Sequence, residues 1–128
     1  HNLETVESLQ RQVRPQCRYE WSLRTLETAG KTGGVIVKSG LMLGLGEKRA
    51  EVIQAMRDLV ESRCQILSMG QYLRPTPSHT EVIEFIHPDC FAEYKEIGEA
   101  LGLKHVEAGP LVRSSYLADQ QARAVGLD

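Results

Sequence analysis

At 128 residues, 41% hydrophobic and 25% charged, the chain has the size and balance of about one soluble globular domain, or a piece of a larger one. A formal net charge of −2 gives no electrostatic argument for nucleic acid or an anionic membrane. No apolar run approaches the ~20 residues that a membrane-spanning helix needs, and the first residues carry no signal-peptide pattern. Cys17, Cys64 and Cys90 lie far apart with no CxxC or CxxxC spacing, which argues against a disulfide framework or a self-contained metal site. Cys64 opens an apolar run and reads as a core residue, and the cysteine usage as a whole fits a reducing compartment. The chain opens on His1-Asn2-Leu3-Glu4 without an initiator methionine, so the start of the gene is expected to lie upstream.

Helix and strand patterns alternate along the chain. Leu3, Val6, Leu9 and Val13 predict a first short helix ended by Pro15, and Tyr19, Leu23 and Leu26 a second, closed by Gly30 and Gly33-Gly34. Val35 to Leu43 reads as a buried strand. A third helix is expected from about Glu47 to Ser62, with Val52, Met56 and Leu59 inward. Gln65 to Leu73 is the next strand, followed by a Pro/Ser/Thr-rich loop, Arg74 to Thr80. His87-Pro88-Asp89 signals the start of a fourth helix, striped by Phe91, Tyr94, Ile97 and Leu101. A short strand, His105 to Ala108, precedes Gly109-Pro110 and a polar tail. This order predicts an α/β fold of parallel βα units. Three strands are too few for a closed (β/α)₈ barrel of about 250 residues, so a partial barrel or part of an open sheet is expected.

In such folds ligands gather at the carboxyl ends of the strands. The first strand runs into Lys38-Ser39-Gly40-Leu41-Met42-Leu43-Gly44-Leu45-Gly46-Glu47. Its glycines permit positive φ and close approach of a ligand, beside a helix N-terminus whose N–H groups attract anions. The plainer reading is a tight turn, with Glu47 complementing the helix dipole. The spacing matches neither GxGxxG nor a Walker loop. Alternation puts Lys38, Gly40 and Met42 on one face, and the gap at Gly40 suits a ligand. Gln71 and Tyr72 end the second strand, where Tyr72 reads more readily as edge packing than as chemistry. Arg113-Ser114-Ser115-Tyr116 follows the last strand, and its serines read first as the N-cap of a terminal helix. No GxSxG elbow or Ser–His–Asp spacing proposes a hydrolase, and the histidine spacing proposes no metal site.

Taken together, these segments resemble lipoyl synthases. The resemblance is carried by His1-Asn2-Leu3-Glu4-Thr5, Val13-Arg14-Pro15, Ser22-Leu23, Lys38 to Glu47, Gly70 to Pro75 and Gly109 to Tyr116, in the family's order and up to about Ala118. Gly40-x-Met42-x-Gly44-x-x-Glu47 also resembles the GxIxGxxE element of radical-SAM domains. The resemblance implies the C-terminal half of a partial (β/α) barrel of the radical-SAM type, over 1–118, with 119–128 a polar tail. It implies an enzyme that inserts sulfur at carbons 6 and 8 of a protein-bound octanoyl group. In the family one 4Fe-4S cluster cleaves S-adenosylmethionine to a radical that takes hydrogen from an unactivated C–H bond, and a second, auxiliary cluster gives up the sulfur. The implied partners are octanoylated lipoyl-carrier proteins, namely lipoyl domains and the glycine cleavage H protein. The compartment would be the cytoplasm in a bacterium, or a mitochondrial or plastid matrix in a eukaryote.

By position, the resemblance puts Asn2 and Glu4 near the sugar and amino-acid parts of S-adenosylmethionine. Lys38, Gly40, Met42 and Gly44 would lie on the cofactor face, and Gln71, Tyr72 and Leu73 near the adenine. A serine of the RSSY motif would ligate the auxiliary cluster; position matching favours Ser115 slightly over Ser114, and physics does not separate them. The family's two cysteine triads precede the HNLET element, and Cys17, Cys64 and Cys90 match neither, so this chain alone is expected to be inactive. Lys48, Arg49 and Leu117 also depart from the usual residues. The rival readings are another radical-SAM enzyme or small-ligand barrel, and a non-catalytic interaction domain derived from such a barrel.

Overall fold

The computed structural model describes residues 1–113. The boundary expected at 118/119, Ser114 and Ser115 lie outside the described residues. After a 3₁₀ turn at Glu7–Leu9 come α1 (Gln10–Val13), α2 (Tyr19–Thr32), β1 (Lys38–Leu43), α3 (Arg49–Glu61), β2 (Ile66–Gln71), α4 (Pro88–Leu101) and β3 (His105–Ala108). The three strands form one parallel sheet in the order β1-β2-β3. It is an open α/β sheet flanked by helices, as the alternating pattern predicts.

One face of this sheet is the core. Leu41, Leu43, Leu67, Met69 and Val106 alternate inward and join Leu26 from α2, Val52, Met56 and Leu59 from α3, and Phe91 from α4, all essentially inaccessible to water. Each such side chain contributes about 1.5–3 kcal/mol through burial, which is what holds short strands and amphipathic helices together. Cys64 belongs to the same core; its thiol donates to the Ile66 carbonyl at 3.2 Å, and burial pushes its pKa up to about 12. The Tyr19 hydroxyl on α2 donates to Asp58 on α3 at 2.7 Å, and burial followed by that carboxylate raises its pKa.

The ends of the elements depart from expectation in instructive ways. The predicted first helix loses its start: Leu3–Thr5 is non-helical, and Glu4 bridges Leu41 in parallel beside β1. Glu4 N–H donates to the Gly40 carbonyl and Met42 N–H donates to the Glu4 carbonyl, both at 2.8 Å. Val35 is exposed, and β1 begins only at Lys38. α3 begins at Arg49 rather than Glu47; Lys48 N–H donates to the Glu51 carboxylate at 2.9 Å, and Glu51 N–H donates to the Lys48 backbone carbonyl at 3.0 Å. His87 caps α4 as the His-Pro-Asp sequence suggests, its Nδ1 accepting from Asp89 N–H at 3.1 Å. Among the described residues no helix is long and apolar enough to cross a membrane.

Candidate functional site

The other face of the sheet is chemically different. The register aligns Gly40 with Ser68 and Glu107, and Met42 with Gly70, so apart from Met42 this face carries small or polar residues where the core face carries large aliphatic ones. At its carboxyl end lies a cleft of about 280 Å³, open to solvent on one side. Asn2, Glu4, Gly40, Met42, Gly70 and Arg113 are among the residues that line it. The scale is near the lower end of small-molecule sites.

Its floor is built from missing side chains. A Cβ at Gly40 would lie 3.0 Å from Asn2 Oδ1 and 3.2 Å from its Cγ, so the gap predicted there is filled from within the chain by the Asn2 carboxamide. A Cβ at Gly70 would collide with the Val112 carbonyl, because the chain after β3 turns at Gly109 and crosses over the end of β2. That crossing delivers Arg113, whose Nη1 donates to the Val112 carbonyl at 2.8 Å, to the cleft just before the two serines. The Asn2 carboxamide and the Glu4 carboxylate line the cleft and make no hydrogen bond to any described residue. Glu4 holds φ at +74°, a region uncommon for a residue with a side chain and worth a functional question.

Of the residues singled out from sequence, Asn2, Glu4, Gly40, Met42, Gln71 and Leu73 line the cleft, whereas Lys38, Gly44 and Tyr72 do not. Lys38 shares the face of Gly40 and Met42 but sits at the opening end of β1, away from the strand ends, where partial burial lowers its ammonium pKa. Tyr72 is buried, with its hydroxyl donating to the Thr80 carbonyl at 2.6 Å, and thereby pins the Arg74–Thr80 loop. Gly44 is a packing and turn glycine: φ is +103°, and a Cβ would strike the Gln71 amide and the Glu84 carbonyl.

The glycine turn also spends its own donors. Glu47 folds back so that its carboxylate accepts from Gly44 N–H at 3.0 and 3.2 Å and from Leu45 N–H at 3.0 Å. These turn N–H groups, which precede the helix start at Arg49, are occupied by an internal anion. Gln71 is similarly committed. Its Nε2 donates to the Tyr72 and Glu84 carbonyls, each at 3.0 Å, and its Oε1 accepts from Ile86 N–H at 2.9 Å, clamping the segment that leads to α4. Sequence reasoning passed over two further residues, Gln10 and Arg14, whose side chains grip the Asn2–Thr5 backbone. Arg14 was visible only as part of a motif, and nothing local marked Gln10.

The three cysteines give no cluster site among the described residues. Cys64 is a buried thiol, Cys90 is exposed and Cys17 sits near Arg14, each on a different part of the fold. Among the described residues no three or more His, Cys, Asp or Glu side chains gather as metal ligands.

The fold and cleft together define an α/β chain of the partial-barrel kind, with an open ligand face at the carboxyl ends of its parallel strands. No protein-family model matches the chain. It is 53% identical over 123 residues to the lipoyl synthase of Azotobacter vinelandii, covering 95% of this chain and 38% of that protein. It is 51% identical over 120 residues to the lipoyl synthase of Flavobacterium johnsoniae (94% of this chain, 42% of the relative). A mitochondrial lipoyl synthase of Nematostella vectensis is 50% identical over 120 residues, covering 94% and 41%. The chain belongs to the lipoyl synthase family as its C-terminal part, and it spans about two fifths of the length of these curated relatives.

Proposed function

We propose that the full-length protein containing this chain is a lipoyl synthase, a radical-SAM enzyme that inserts sulfur at carbons 6 and 8 of a protein-bound octanoyl group. The observation that carries the reading is the cleft at the strand ends, where Asn2 and Glu4 present polar groups with no partner among the described residues beside Gly40 and Met42, in a chain half identical to lipoyl synthases.

S-adenosylmethionine fits this donor set. Its sulfonium and ammonium are cationic and suit the Glu4 carboxylate, its hydroxyls suit the Asn2 carboxamide, and Met42 and Leu73 offer apolar surface to a flat base. When bound, it supplies the radical hydrogen abstraction that an unactivated C–H bond requires. The chain's own part is to bind, orient and exclude water. Asn2 and Glu4 fix the polar end, the bare backbone at Gly40 admits the Asn2 side chain, and Arg113 closes one wall. Lys38, Gly44 and Tyr72 act indirectly, through the strand, the turn and the loop.

The two 4Fe-4S clusters do not fit the described residues, so their ligands are assigned to parts of the protein beyond them. For the auxiliary cluster these include Ser115 or Ser114, by the family's RSSY motif. This chain alone is then inactive, and reconstituting it with iron and sulfide should yield no stoichiometric cluster by EPR. The partners follow from the reaction: octanoylated lipoyl domains and the glycine cleavage H protein, in a bacterial cytoplasm or an organelle matrix.

The decisive experiment incubates the reconstituted full-length protein with S-adenosylmethionine, a reductant and an octanoyl-lysine peptide. Mass spectrometry should find a product in which two hydrogens have been replaced by two sulfurs. Cleavage of S-adenosylmethionine without any thiolated peptide would overturn the assignment. Ser114→Ala and Ser115→Ala, assayed side by side, identify the ligand: the ligating serine's variant loses thiolated product while cofactor cleavage persists.

A further inference from the structure

Resting on the reading of the cleft as the S-adenosylmethionine site, we propose that Gln10 and Arg14 are positioning residues. They hold the Asn2–Thr5 backbone in the bend that delivers Asn2 and Glu4 to the cleft. Neither side chain lines the cleft itself.

The segment from Asn2 to Thr5 pairs with β1 through a single bridge at Glu4, so most of its backbone groups have no strand partner. Leu3 and Thr5 are nevertheless almost wholly buried, where an unsatisfied carbonyl is costly. Side chains complete the set. Gln10 Nε2 donates to the Leu3 and Thr5 carbonyls, each at 2.8 Å. Arg14 Nη1 donates to the Asn2 carbonyl at 2.8 Å and, more weakly, to the Leu3 carbonyl at 3.4 Å. The Glu4 carbonyl alone goes to the sheet, accepting from Met42 N–H at 2.8 Å. The Leu3 carbonyl also accepts from Thr5 N–H at 3.0 Å, so among the described residues it is the Asn2 and Thr5 carbonyls that depend on the two side chains alone, and all four carbonyls of the bend are accounted for.

Two details separate a dedicated clamp from incidental packing. Gln10 is buried although its Oε1 has no hydrogen-bond partner among the described residues, so an apolar residue of similar shape would avoid an orphaned oxygen at the cost of both donors. Glu4 also takes φ of +74°, a conformation that persists only where the surroundings over-determine it. The result is that residues 2 and 4 both reach the cleft, with Asn2 laid over Gly40.

The test uses the full-length protein with three readouts: amide hydrogen exchange without ligand, S-adenosylmethionine affinity by equilibrium dialysis of the cluster-loaded form, and thermal melting. Arg14→Met and Gln10→Met should speed exchange at the Glu4 and Met42 amides, leaving the β2–β3 amides protected. Each should weaken S-adenosylmethionine roughly ten- to hundredfold, the scale of a lost charge-assisted or double hydrogen bond. Arg14→Lys, which retains a cationic donor, should recover most of the affinity. Should Gln10→Met fail to fold, the half-buried Arg14 pair decides alone.

Unchanged exchange at Glu4 and Met42 overturns the clamp, whatever happens to binding. Faster exchange with unchanged affinity overturns its positioning role. A uniform loss of protection with a collapsed melt, unrescued by Arg14→Lys, makes these residues merely structural and also overturns it. Asn2→Ala and Glu4→Gln are the control for the site: if both bind S-adenosylmethionine normally, the cleft reading fails, while the exchange data still report on the clamp.

Discussion

The two faces of the sheet are made by alternate residues of the same strands, separated by one position each. On the helix side Leu41, Leu43, Leu67, Met69 and Val106 are sealed from water and touch other apolar groups. On the cleft side Gly40, Ser68, Gly70 and Glu107 present small or polar groups, with Met42 the one long apolar side chain among them. The first face derives its stability from filled volume. The second is shaped by withheld volume, because the places where side chains are missing are where Asn2 and the Val112 carbonyl come to lie. A substitution on the first face should therefore be read in melting temperature, and one on the second in ligand affinity.

The largest effect tests the core face. Phe91→Ala removes a fully buried ring between α4 and the sheet and should cost about 3–5 kcal/mol of stability in denaturant unfolding. Gly44→Ala comes next, at about 1–3 kcal/mol from left-handed backbone, made worse by collision with Gln71 and Glu84. Gly46→Ala, at a similar φ but with its nearest obstacle at 3.8 Å, should cost less in a parallel melt.

Gly40→Val sharpens the contrast between faces. Its branches would displace the Asn2 carboxamide, so S-adenosylmethionine affinity in the full-length protein should fall at least about tenfold, or ~1.4 kcal/mol. Titration calorimetry beside thermal melting separates the two effects. Unchanged affinity with a collapsed melt would return Gly40 to the status of a packing glycine.

The smallest effect is electrostatic. Glu51, bonded by Ser8 and by Lys48 N–H, is held below the usual glutamate range. Burial pushes Glu99 up, but Lys95 and Val106 N–H outweigh it and leave its pKa lowered. Both carboxyls are more acidic folded than unfolded, so their stabilisation is complete above the unfolded value of about 4.3 and fades as pH falls below it. Melting of the apoprotein between pH 6 and 3 should show this loss, and Glu51→Gln should flatten part of it. Both groups are largely solvated, which keeps the effect modest.

The elements were readable from sequence because their signals are local. Apolar, buried-strand character marked both long strands, and the stripe from Phe91 to Leu101 marked α4. The HNLET segment misled because Leu3, Val6 and Leu9 keep helical spacing while the bonds that extend it reach Gly40, Met42, Gln10 and Arg14. Nothing in the local pattern encodes a partner 36 residues away, as for Leu3 N–H on Ser39 Oγ. The candidate site was found largely through family motifs, yet a motif does not say which of its members faces inward. Glu47, Gln71 and Tyr72 turned out to be committed to backbone groups of their own chain.

The strand order, which follows chain order from β1 to β3, bears on how the chain assembles. Each strand after β1 pairs with the one made immediately before it, so every new βα unit meets a finished template as it leaves the ribosome. Each pairing still spans a whole helical crossover, from Lys38 to Ile66 and from Ile66 to His105, so growth is unit by unit but every step closes a non-local loop. The bend at Asn2–Thr5 is the exception. It is synthesised before β1 but can dock only after β1 exists, so the residues presented to the cleft are fixed in place later than their position relative to β1 would suggest.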